Sequence, residues 1–262
     1  MESPPDPPPP DAARIPDPGG VAPLPGGVLE VARGVRAQET CPYLKDRPAR
    51  TEIRLAAAIE GRAWSDLLAA GYRRFGMILF RPVCEGCSEC IPIRIPVGRF
   101  LPSRGQRRVL RRNRDVVLEL GEPLVDEERL ALHRAFHLER SERAGWDRED
   151  IDAEGYSRIF LENIVATLEF RYRIGGRLAA VAYVDDSPDA LNSIYCFWDP
   201  AHRARSLGTL DVLREIEVAR TLGRRWLYLG FHVAGCRSMA YKAGFRPAEV
   251  RAGGEWKELE GA

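Results

Sequence analysis

The chain of 262 residues carries 39 Lys and Arg residues against 38 Asp and Glu residues, a formal net charge of +1. This balance excludes a protein that coats nucleic acid through bulk positive charge. Apolar residues make up 45% of the sequence, so most of the chain can fold around a substantial core. No apolar run approaches the ~20 residues of a membrane-spanning helix, and the first residues lack the apolar segment of a secretory signal. We therefore expect a cytoplasmic protein without membrane association.

The first residues have the composition of a disordered tail. Half of the 20 prolines lie between Pro4 and Pro25, mixed with Gly, Asp and Ala. Such a segment lacks the apolar side chains that would offset the entropy cost of ordering it. We predict disorder for residues 1–26 and a globular fold from Val28 onward.

Hydrophobic patterning predicts short elements in the first half and longer ones in the second. In the first half, a strand or a short apolar turn is expected at residues 50–59, strands at 72–80 and 91–97, and helices at 64–70 and 106–113. A joint at residues 122–125 separates the two halves. In the second half, helices are expected after Asp126 and at 156–163, followed by strands at 166–174, 178–185 and 191–198. A helix at 207–222, a strand at 225–229 and a helix at 236–243 complete the expected order. Asp126 and Ser206 are predicted helix caps, and Gly175-Gly176 indicates a hairpin. This order predicts an α+β fold centred on one mixed sheet.

Three of the six cysteines, Cys84, Cys87 and Cys90, form a C-x-x-C-x-x-C motif in a predicted turn. Two-residue gaps let thiolates converge on one ion, and in a cytosolic chain this spacing favours metal over disulfides. Cys41 is the candidate for the fourth ligand. Zinc and an iron–sulfur cluster both suit such ligands, and the spacing does not choose between them. The alternative is a set of reduced structural thiols that bind no metal.

Residues 99–114 contain seven arginines and no acidic residue. A local concentration of guanidinium groups suits phosphate recognition, while the near-neutral chain limits non-specific binding. The alternative is a solvated helix face, which the lack of acidic partners one turn away disfavours. The residues expected to lie along a nucleic-acid backbone are Arg104, Gln106, Arg107, Arg108 and Arg111.

In the second half, an aromatic strand ends at Asp199-Pro200, and a Ser-Leu-Gly-Thr turn at residues 206–209 opens the next helix. The free N–H groups at the start of that helix point at whatever lies beyond the strand end. In acyltransferases of the acetyltransferase-like fold, this position receives the acyl donor.

Several motifs occur together and in consistent order between about residues 38 and 250. In the first half they are Cys41-Pro42-Tyr43, Gly71-Tyr72-Arg73-Arg74 with Gly76, Pro82 with the three spaced cysteines, Ile91-Pro92-Ile93-Arg94, Phe100, Ser103, Gln106-Arg107-Arg108 and Asn113. In the second half they are Asp199-Pro200, Arg205-Ser206-Leu207-Gly208-Thr209, Tyr228-Leu229-Gly230, and Met239-Ala240-Tyr241-Lys242 with Phe245-Arg246-Pro247. With these motifs the chain resembles the bacterial aspartate/glutamate leucyltransferases, the branch related to eukaryotic arginyl-tRNA–protein transferases.

The resemblance implies a small cysteine-containing N-terminal domain at residues 27–121 and a C-terminal acetyltransferase-like (GNAT-type) mixed-sheet domain at residues 122–255. It implies transfer of leucine from leucyl-tRNA to the N-terminal amine of acceptor proteins that begin with Asp or Glu, which marks them for N-end rule degradation. Because the donor is already an activated ester, the chemistry requires no cofactor.

The same resemblance guides the expected site. The aminoacyl end is expected near Tyr195, Phe197, Asp199 and the turn formed by Ser206, Leu207, Gly208 and Thr209. The cations expected to hold the acidic side chain of the acceptor are Arg74, Arg94 and Lys242. Asp199 is the expected proton acceptor, and Tyr228 and Tyr241 are expected hydrogen-bond donors. The alternatives are core packing for the aromatic side chains and capping of the turn before Pro200 for Asp199.

Three other functions fit parts of the sequence. An arginyl-tRNA–protein transferase would share the fold and the chemistry. A CoA-dependent N-acetyltransferase would use the same strand–turn–helix, but usually with a loop richer in glycine than residues 203–209. A non-catalytic RNA-binding zinc protein would use the cysteines and arginines and would leave the second half unexplained.

Overall fold

Two β-sheets organise the computed structural model, which describes residues 24, 26–38, 40–145 and 150–260. Nearly all of the predicted disordered tail, residues 1–26, lies outside the described residues. The first sheet has four strands and the second has eight, and helices cover both faces of the larger sheet. None of the helices in the described part of the chain has the length and apolar character needed to cross a membrane.

The first sheet is antiparallel, with strand order β1-β2-β4-β3. Its elements are β1 (Val28–Gln38), β2 (Ala49–Ile59), α1 (Gly61–Ala69), β3 (Arg73–Phe75) and β4 (Ile78–Pro82). The single strand predicted at residues 72–80 is wrong, because Gly76 turns the chain with a φ of +51°. A side chain at this position would collide with the carbonyl oxygen of Arg158, so glycine is required for the turn as well as for the packing.

The second sheet has the order β12-β11-β5-β10-β9-β8-β7-β6. Its strands are β5 (Ile91–Pro96), β6 (Val117–Gly121), β7 (Thr167–Ile174), β8 (Arg177–Asp186), β9 (Ala190–Trp198), β10 (Trp226–His232), β11 (Glu249–Ala252) and β12 (Glu255–Glu258). Among the described strands, β9 and β10 form the one parallel pair. The hairpin predicted at Gly175-Gly176 is confirmed, since β7 and β8 pair on either side of it.

Helices pack on both faces of this sheet. They are α2 (Arg104–Arg112), α3 (Glu127–Ala144), α4 (Ala153–Phe160), α5 (Leu207–Thr221) and α6 (Arg237–Ala240), with 3-10 turns at Val97–Arg99, Pro200–Arg205 and Tyr241–Gly244. α5 buries Leu210, Leu213 and Ile216 against one face, and each such side chain contributes about 1.5–3 kcal/mol. α3 and α4 pack on the opposite face around Phe136 and Tyr156.

One predicted cap is confirmed and the other is wrong. The Asp126 carboxylate accepts the N–H of Arg129 at 2.9 Å and so caps α3. Ser206 precedes α5, but its side chain makes no cap hydrogen bond because its backbone is left-handed, with a φ of +58°. A capping serine needs an extended backbone to place its hydroxyl over the first turn.

The larger sheet draws on both halves of the sequence. β5 pairs with β10 and β11, and β6 pairs with β7, although β5 and β6 both precede residue 122. A boundary between residues 121 and 122 therefore does not separate the two sheets.

Candidate active site

β9 and β10 pair only at their first residues and then separate. The parallel register runs from Ala190 opposite Trp226 to Asn192 opposite Tyr228. Beyond this point the two strands have no further register, which leaves a gap between their C-terminal ends. Divergent strand ends of this kind form a natural site at the edge of an α/β sheet.

Arg73 from β3 of the first sheet fills this gap. Its guanidinium donates hydrogen bonds to the Asn192 side-chain oxygen and to the Ser193 carbonyl. Gly230 on β10 approaches so closely that an added Cβ would lie 3.3 Å from the Arg73 guanidinium. Arg73 therefore joins the two sheets, a role that no local pattern in the sequence indicates.

The C-terminal end of α2 is bound to the turn that precedes α5. The Asn113 side-chain amide donates to the carbonyl of Arg205 at 2.9 Å, and the Arg112 guanidinium donates to the carbonyl of Ala204. Asn113 is fully buried, so its side-chain amide is part of the protein interior and is not exposed to bind a ligand at the surface.

The N-terminal end of α2 is bound to a second turn. Ser103 and Gln106 form a reciprocal capping box, and the Gln106 side-chain amide donates to the carbonyl of Gly244 at 3.1 Å. Gln106 is buried, and both the oxygen and the nitrogen of its side-chain amide take part in these bonds. α2 is thus bound to the Pro200–Arg205 turn at its C-terminal end and to the Tyr241–Gly244 turn at its N-terminal end.

The outer face of α2 is basic and exposed. Among the described residues, no carboxylate lies within ion-pair distance of the four exposed side chains Arg104, Arg107, Arg108 and Arg111. Arg99, just before the helix, pairs instead with Glu258 at 2.6 Å. We call the four unpaired residues the α2 arginine face.

The turn before α5 is compact. One oxygen of Asp199 accepts the N–H of Ala201 at 2.9 Å, so the predicted alternative, capping of the turn, is present. An added Cβ at Gly208 would lie 3.2 Å from the Trp198 ring, which explains a glycine in the first turn of α5. Leu207 beside it is buried, and Thr209 bonds back to the carbonyl of Ser206.

Arg74 is fully buried in an ion pair with Asp185, both side chains being 0% exposed. It also donates to Thr167 at 2.6 Å and to the carbonyl of Gly76 at 2.9 Å. Its charge is balanced inside the protein, so it is not placed to meet the carboxylate of an acceptor.

Arg94 is likewise engaged. It pairs with Glu249 at 2.8 Å, donates to the Tyr228 hydroxyl at 3.1 Å, and lies between the rings of Trp226 and Trp256 at 3.7 and 4.1 Å from their centroids. Burial raises the pKa of Tyr228, and the Arg94 charge partly opposes this rise. Arg94 and Tyr228 face the side of the sheet away from α5, so the structure does not bring them together with the α2 arginine face.

Lys242 and Tyr241 belong to the turn at the N-terminal end of α2. Lys242 is buried, with its Nζ 3.5 Å from the sulfur of Met239. Tyr241 is half-buried and meets Phe245 edge to face, at 6.4 Å between ring centroids. Of these two, Tyr241 is the better placed to reach a substrate.

Phe197 and Tyr195 lie on the α3 face of the sheet. Phe197 is 0% exposed and meets the His133 ring edge to face at 5.2 Å, so it is a core residue. The Tyr195 hydroxyl lies 3.0 Å from Nε2 of His137. Sequence reasoning missed the two histidines, although their spacing of four on a helix places them on one face.

His133 and His137 stack with their ring centroids 4.0 Å apart. Burial, with the neighbouring charges of His137 and Arg134, lowers the pKa of His133 to about 3. Burial and the Arg140 charge lower the pKa of His137 to about 4. Both imidazoles are therefore neutral near pH 7, and Nε2 of His137 can accept a hydrogen bond from the Tyr195 hydroxyl.

Cys41, Cys84 and Cys90 line one cavity between the two sheets. Burial raises the pKa of Cys90 to about 12, and the neighbouring cysteines Cys41, Cys84 and Cys87 add to the rise. Soft thiol donors are thus gathered in one place. Within the described ranges, however, no three His, Cys, Asp or Glu side chains are arranged to hold a metal ion.

Two family models match the chain in order. The N-terminal model of the arginine-tRNA-protein transferases matches residues 39–108, and the C-terminal model matches residues 128–252. The chain belongs to the arginine-tRNA-protein transferase family. It is therefore an aminoacyltransferase, as the sequence motifs predict, and its helices packed on one large mixed sheet confirm the predicted α+β class.

Curated relatives within this family match most of the chain. The aspartate/glutamate leucyltransferase of Chromobacterium violaceum is 39% identical over 235 residues, which cover 89% of this chain and 96% of the relative. Those of Thiobacillus denitrificans and Campylobacter jejuni are 37% and 33% identical, and the alignments cover 86% and 82% of this chain and 93% and 91% of the relatives. Among solved structures, FemX is 9% identical with a TM-score of 0.44, covering 76% of this chain and 79% of that one.

Proposed function

We propose that this member of the arginine-tRNA-protein transferase family acts in the cytoplasm and moves leucine from leucyl-tRNA to the N-terminal amine of proteins that begin with Asp or Glu, marking them for N-end rule degradation. Relatives at 33–39% identity over most of the chain carry the name of this activity. The structural observation that carries the proposal is the α2 arginine face, exposed, unpaired and fastened to the turn that opens α5.

The α2 arginine face is the proposed contact with the tRNA backbone. From Arg104 to Arg111 it extends about 10 Å along the helix axis. Guanidinium groups bind phosphates through two parallel hydrogen bonds, and free ones need not first break an internal ion pair. Gln106, included in the sequence prediction, is left out because its side chain holds the helix to Gly244.

The start of α5 is the proposed place for the aminoacyl ester. The first N–H groups of a helix lack partners within it, and its N-terminus carries a partial positive charge. Such groups favour the oxyanion that forms when an amine attacks an ester carbonyl. The ester is already activated, so the chain has to bind and orient the reactants, and no cofactor is needed for the step.

In the reaction, the acceptor nitrogen forms a bond to the leucyl carbonyl carbon, and the bond from that carbon to the ribose oxygen breaks. We assign Asp199 as the acceptor of the proton that leaves the amine, and the ribose oxygen takes up a proton as it departs. One Asp199 oxygen caps the turn, and no residue in the described part of the chain donates a hydrogen bond to the other. An α-amine has a pKa of about 7.7–8.0, so a weak base suffices.

Two tyrosines remain in the proposed machinery. Tyr241 lies beside the N-terminal end of α2 and can donate a hydrogen bond to the leucyl-tRNA substrate. Tyr195 lies on the other face of the sheet, where its hydroxyl is 3.0 Å from Nε2 of His137, and we assign it to the acceptor. Tyr228 is left out because its hydroxyl already accepts from Arg94.

A CoA-dependent acetyltransferase is disfavoured by the filled gap between β9 and β10. An acyl-CoA arm that entered this gap would have to displace Arg73 from its bonds to Asn192 and Ser193. No comparable displacement is needed for a donor that approaches over α2 and the start of α5.

The four cysteines are a proposed zinc or iron–sulfur site. The support is the C-x-x-C-x-x-C spacing and the shared cavity of Cys41, Cys84 and Cys90. The side chains do not form a ligand set as they stand, so we assign the site no part in the transfer step. Metal analysis of anaerobically purified protein tests it: a stoichiometric metal lost in a Cys84→Ser variant supports the site, and absence of metal rejects it.

One assay separates the possible donors. Purified protein is incubated with a protein beginning with Asp or Glu and with radiolabelled leucyl-tRNA, arginyl-tRNA or acetyl-CoA. We expect label in the acceptor from leucyl-tRNA alone. Label from arginyl-tRNA alone would reassign the donor, and no label from any of the three would reject the proposal.

A further inference from the structure

We propose that the acidic side chain of the acceptor is recognised by Arg36, in a cavity between the two sheets. This inference rests on the proposed function, and it replaces Arg74, Arg94 and Lys242 in that role. The three predicted cations are buried or held by internal partners. An acceptor that begins with Asp or Glu still requires a cation, and the structure offers another.

The cavity is small, opens to solvent and has the lining of a binding site. Its volume of about 60 Å³ has room for a few water-sized groups at ~10–15 Å³ each, such as a carboxylate at the end of a short side chain. Pro42, Tyr43, Phe80 and Phe231 contribute apolar wall to it. The proposed metal ligands Cys41, Cys84 and Cys90 line the same cavity, so a metal bound there would lie beside the acceptor rather than in a separate site. A carboxylate that enters such a wall loses water and needs a charged partner.

Arg36 supplies that partner from β1. It lies opposite Thr51 in the register of β1 and β2, so both side chains share one face of the first sheet, and both line the cavity. Arg36 is half-buried, and no carboxylate among the described residues lies within ion-pair distance of it.

Neighbouring arginines of the first sheet are all paired. The pairs are Arg33 with Glu30 at 3.0 Å, Arg54 with Glu30 at 2.7 Å and Glu52 at 2.5 Å, Arg81 with Glu52 at 2.8 Å, and Arg50 with Glu85. Arg36 is thus the one arginine, among those described on these strands that line or border the cavity, without an ion pair to a carboxylate. An unpaired, partly desolvated guanidinium at an apolar cavity is suited to bind an incoming carboxylate in the bidentate manner.

The cavity also lies next to the gap between β9 and β10. Phe231 is on β10 beyond the point where that strand separates from β9. Phe80 stacks on Phe75 at 5.8 Å, and Phe75 meets the ring of Tyr195 edge to face at 6.2 Å. A residue held by Arg36 would therefore lie on the Tyr195 side of the gap, where an acceptor amine is required.

This arrangement accounts for selectivity toward acidic first residues. An acceptor that begins with Asn or Gln would leave the Arg36 charge desolvated without a counter-charge, and one that begins with Lys would repel it. A charge-assisted bond of this kind should give a preference for Asp over Asn of about 10- to 100-fold.

The test measures transfer by the full chain to matched peptides that begin with Asp, Glu, Asn and Lys. For Arg36→Gln we expect KM for the Asp and Glu peptides to rise about 10-fold or more, with KM for leucyl-tRNA unchanged. The preference for Asp over Asn should collapse, and Arg36→Glu should shift it toward Lys. Arg33→Gln, from the same strand but the opposite face, is the matched control and should behave as wild type.

Binding of the Asp peptide, measured by calorimetry on wild type and Arg36→Gln, tests the cavity independently of catalysis. Equal peptide affinity in the two proteins, or an unchanged preference for Asp over Asn, would overturn the role of Arg36 and leave the proposed function standing. A wild type that binds the Asp peptide through Arg36 but transfers no leucine would instead reject the proposed function. Arg36→Lys, which retains the charge, should restore part of the affinity and exclude a purely structural effect.

Discussion

The side-chain amide of Asn113 donates a hydrogen bond to the main-chain carbonyl of Arg205, with 2.9 Å between nitrogen and oxygen. The two residues are far apart in sequence, one at the end of α2 and the other in the turn before α5. The bond is partly buried, and a second bond from the same amide reaches the carbonyl of Val109 at 2.9 Å. It therefore fixes the α2 arginine face relative to the start of α5, the two surfaces assigned to the donor.

Asn113→Ala should lower both stability and donor binding. The variant loses two partly buried hydrogen bonds and leaves the Arg205 carbonyl without this partner, so we expect about 1–3 kcal/mol less free energy of unfolding. KM for leucyl-tRNA should rise more than KM for the acceptor, because α2 is no longer held against the turn. Denaturant titration and transfer kinetics measure the two effects.

Asn163→Ala is the matched control for that variant. Asn163 donates one hydrogen bond to the carbonyl of Phe160 near the end of α4, away from α2. It should reduce stability without changing KM for leucyl-tRNA. If Asn113→Ala changes no kinetic constant, the coupling of α2 to α5 has no part in donor binding.

Charge reversal on α2 should weaken tRNA binding. In the double variant Arg107→Glu with Arg108→Glu, two phosphate contacts become repulsive, so the affinity for tRNA at low salt should fall at least about tenfold. The slope of log affinity against log salt concentration should become shallower by about one to two units. Filter binding over a salt series measures this. Arg158→Glu with Arg177→Glu reverses two exposed charges elsewhere and should leave binding unchanged. Equal affinities for the two double variants would reject the assigned tRNA path.

Asp199→Asn separates capping from proton transfer. The amide oxygen still accepts the N–H of Ala201, so the fold and KM for leucyl-tRNA should be retained. The amide is not basic, so kcat should fall by about 10²-fold or more, with partial recovery as pH rises and more of the acceptor amine is free. Full activity in a folded Asp199→Asn variant would mean that Asp199 is only a cap.

The pair of Arg74 and Asp185 should prove structural. Arg74→Met leaves a fully buried carboxylate without its counter-charge and should cost about 3–5 kcal/mol in the free energy of unfolding. Arg74→Met with Asp185→Leu should recover much of this loss, because neither charge is then buried alone. In the recovered double variant, the ratio of transfer to Asp and Asn peptides should match wild type. A collapse of that ratio would return Arg74 to the acceptor site.

Acid should destabilise the protein through His133 and His137. Their pKa values are lowered to about 3 and about 4, against about 6.5 in an unfolded chain. As pH falls from about 6.5 toward 4, the unfolded chain binds two protons that the folded chain does not, so stability declines by up to about 2.7 kcal/mol per pH unit. His133→Phe should reduce this slope by about half. An identical slope in wild type and variant, from denaturant titrations between pH 4.5 and 7, would contradict the account.

The sequence predicts the elements whose pattern is local. The continuous apolar run of β8 and the Gly175-Gly176 turn identify a hairpin, and the arginine-rich α2 is recognisable from charge alone. The short edge strands β11 and β12 were missed because four-residue segments rich in charge carry no apolar alternation.

The partners of buried charges could not be predicted. Arg74 and Arg94 have the residue type of an anion site, but Asp185 and Glu249 neutralise them from 111 and 155 positions away. Nothing near either arginine in the sequence reveals these pairs. For the opposite reason, the sequence does not identify Arg36. That an arginine has no ion-pair partner is recognisable only when the positions of all its neighbours in the fold are known.

The most direct test of the central claim is the chemical structure of the product. An acceptor protein that begins with Asp is incubated with the enzyme and leucyl-tRNA, and its N-terminus is sequenced by mass spectrometry. The account predicts one leucine joined by an amide bond to the α-amine of Asp, dependent on Arg107 and Arg108. An unmodified N-terminus, or leucine attached only at side chains, would contradict it.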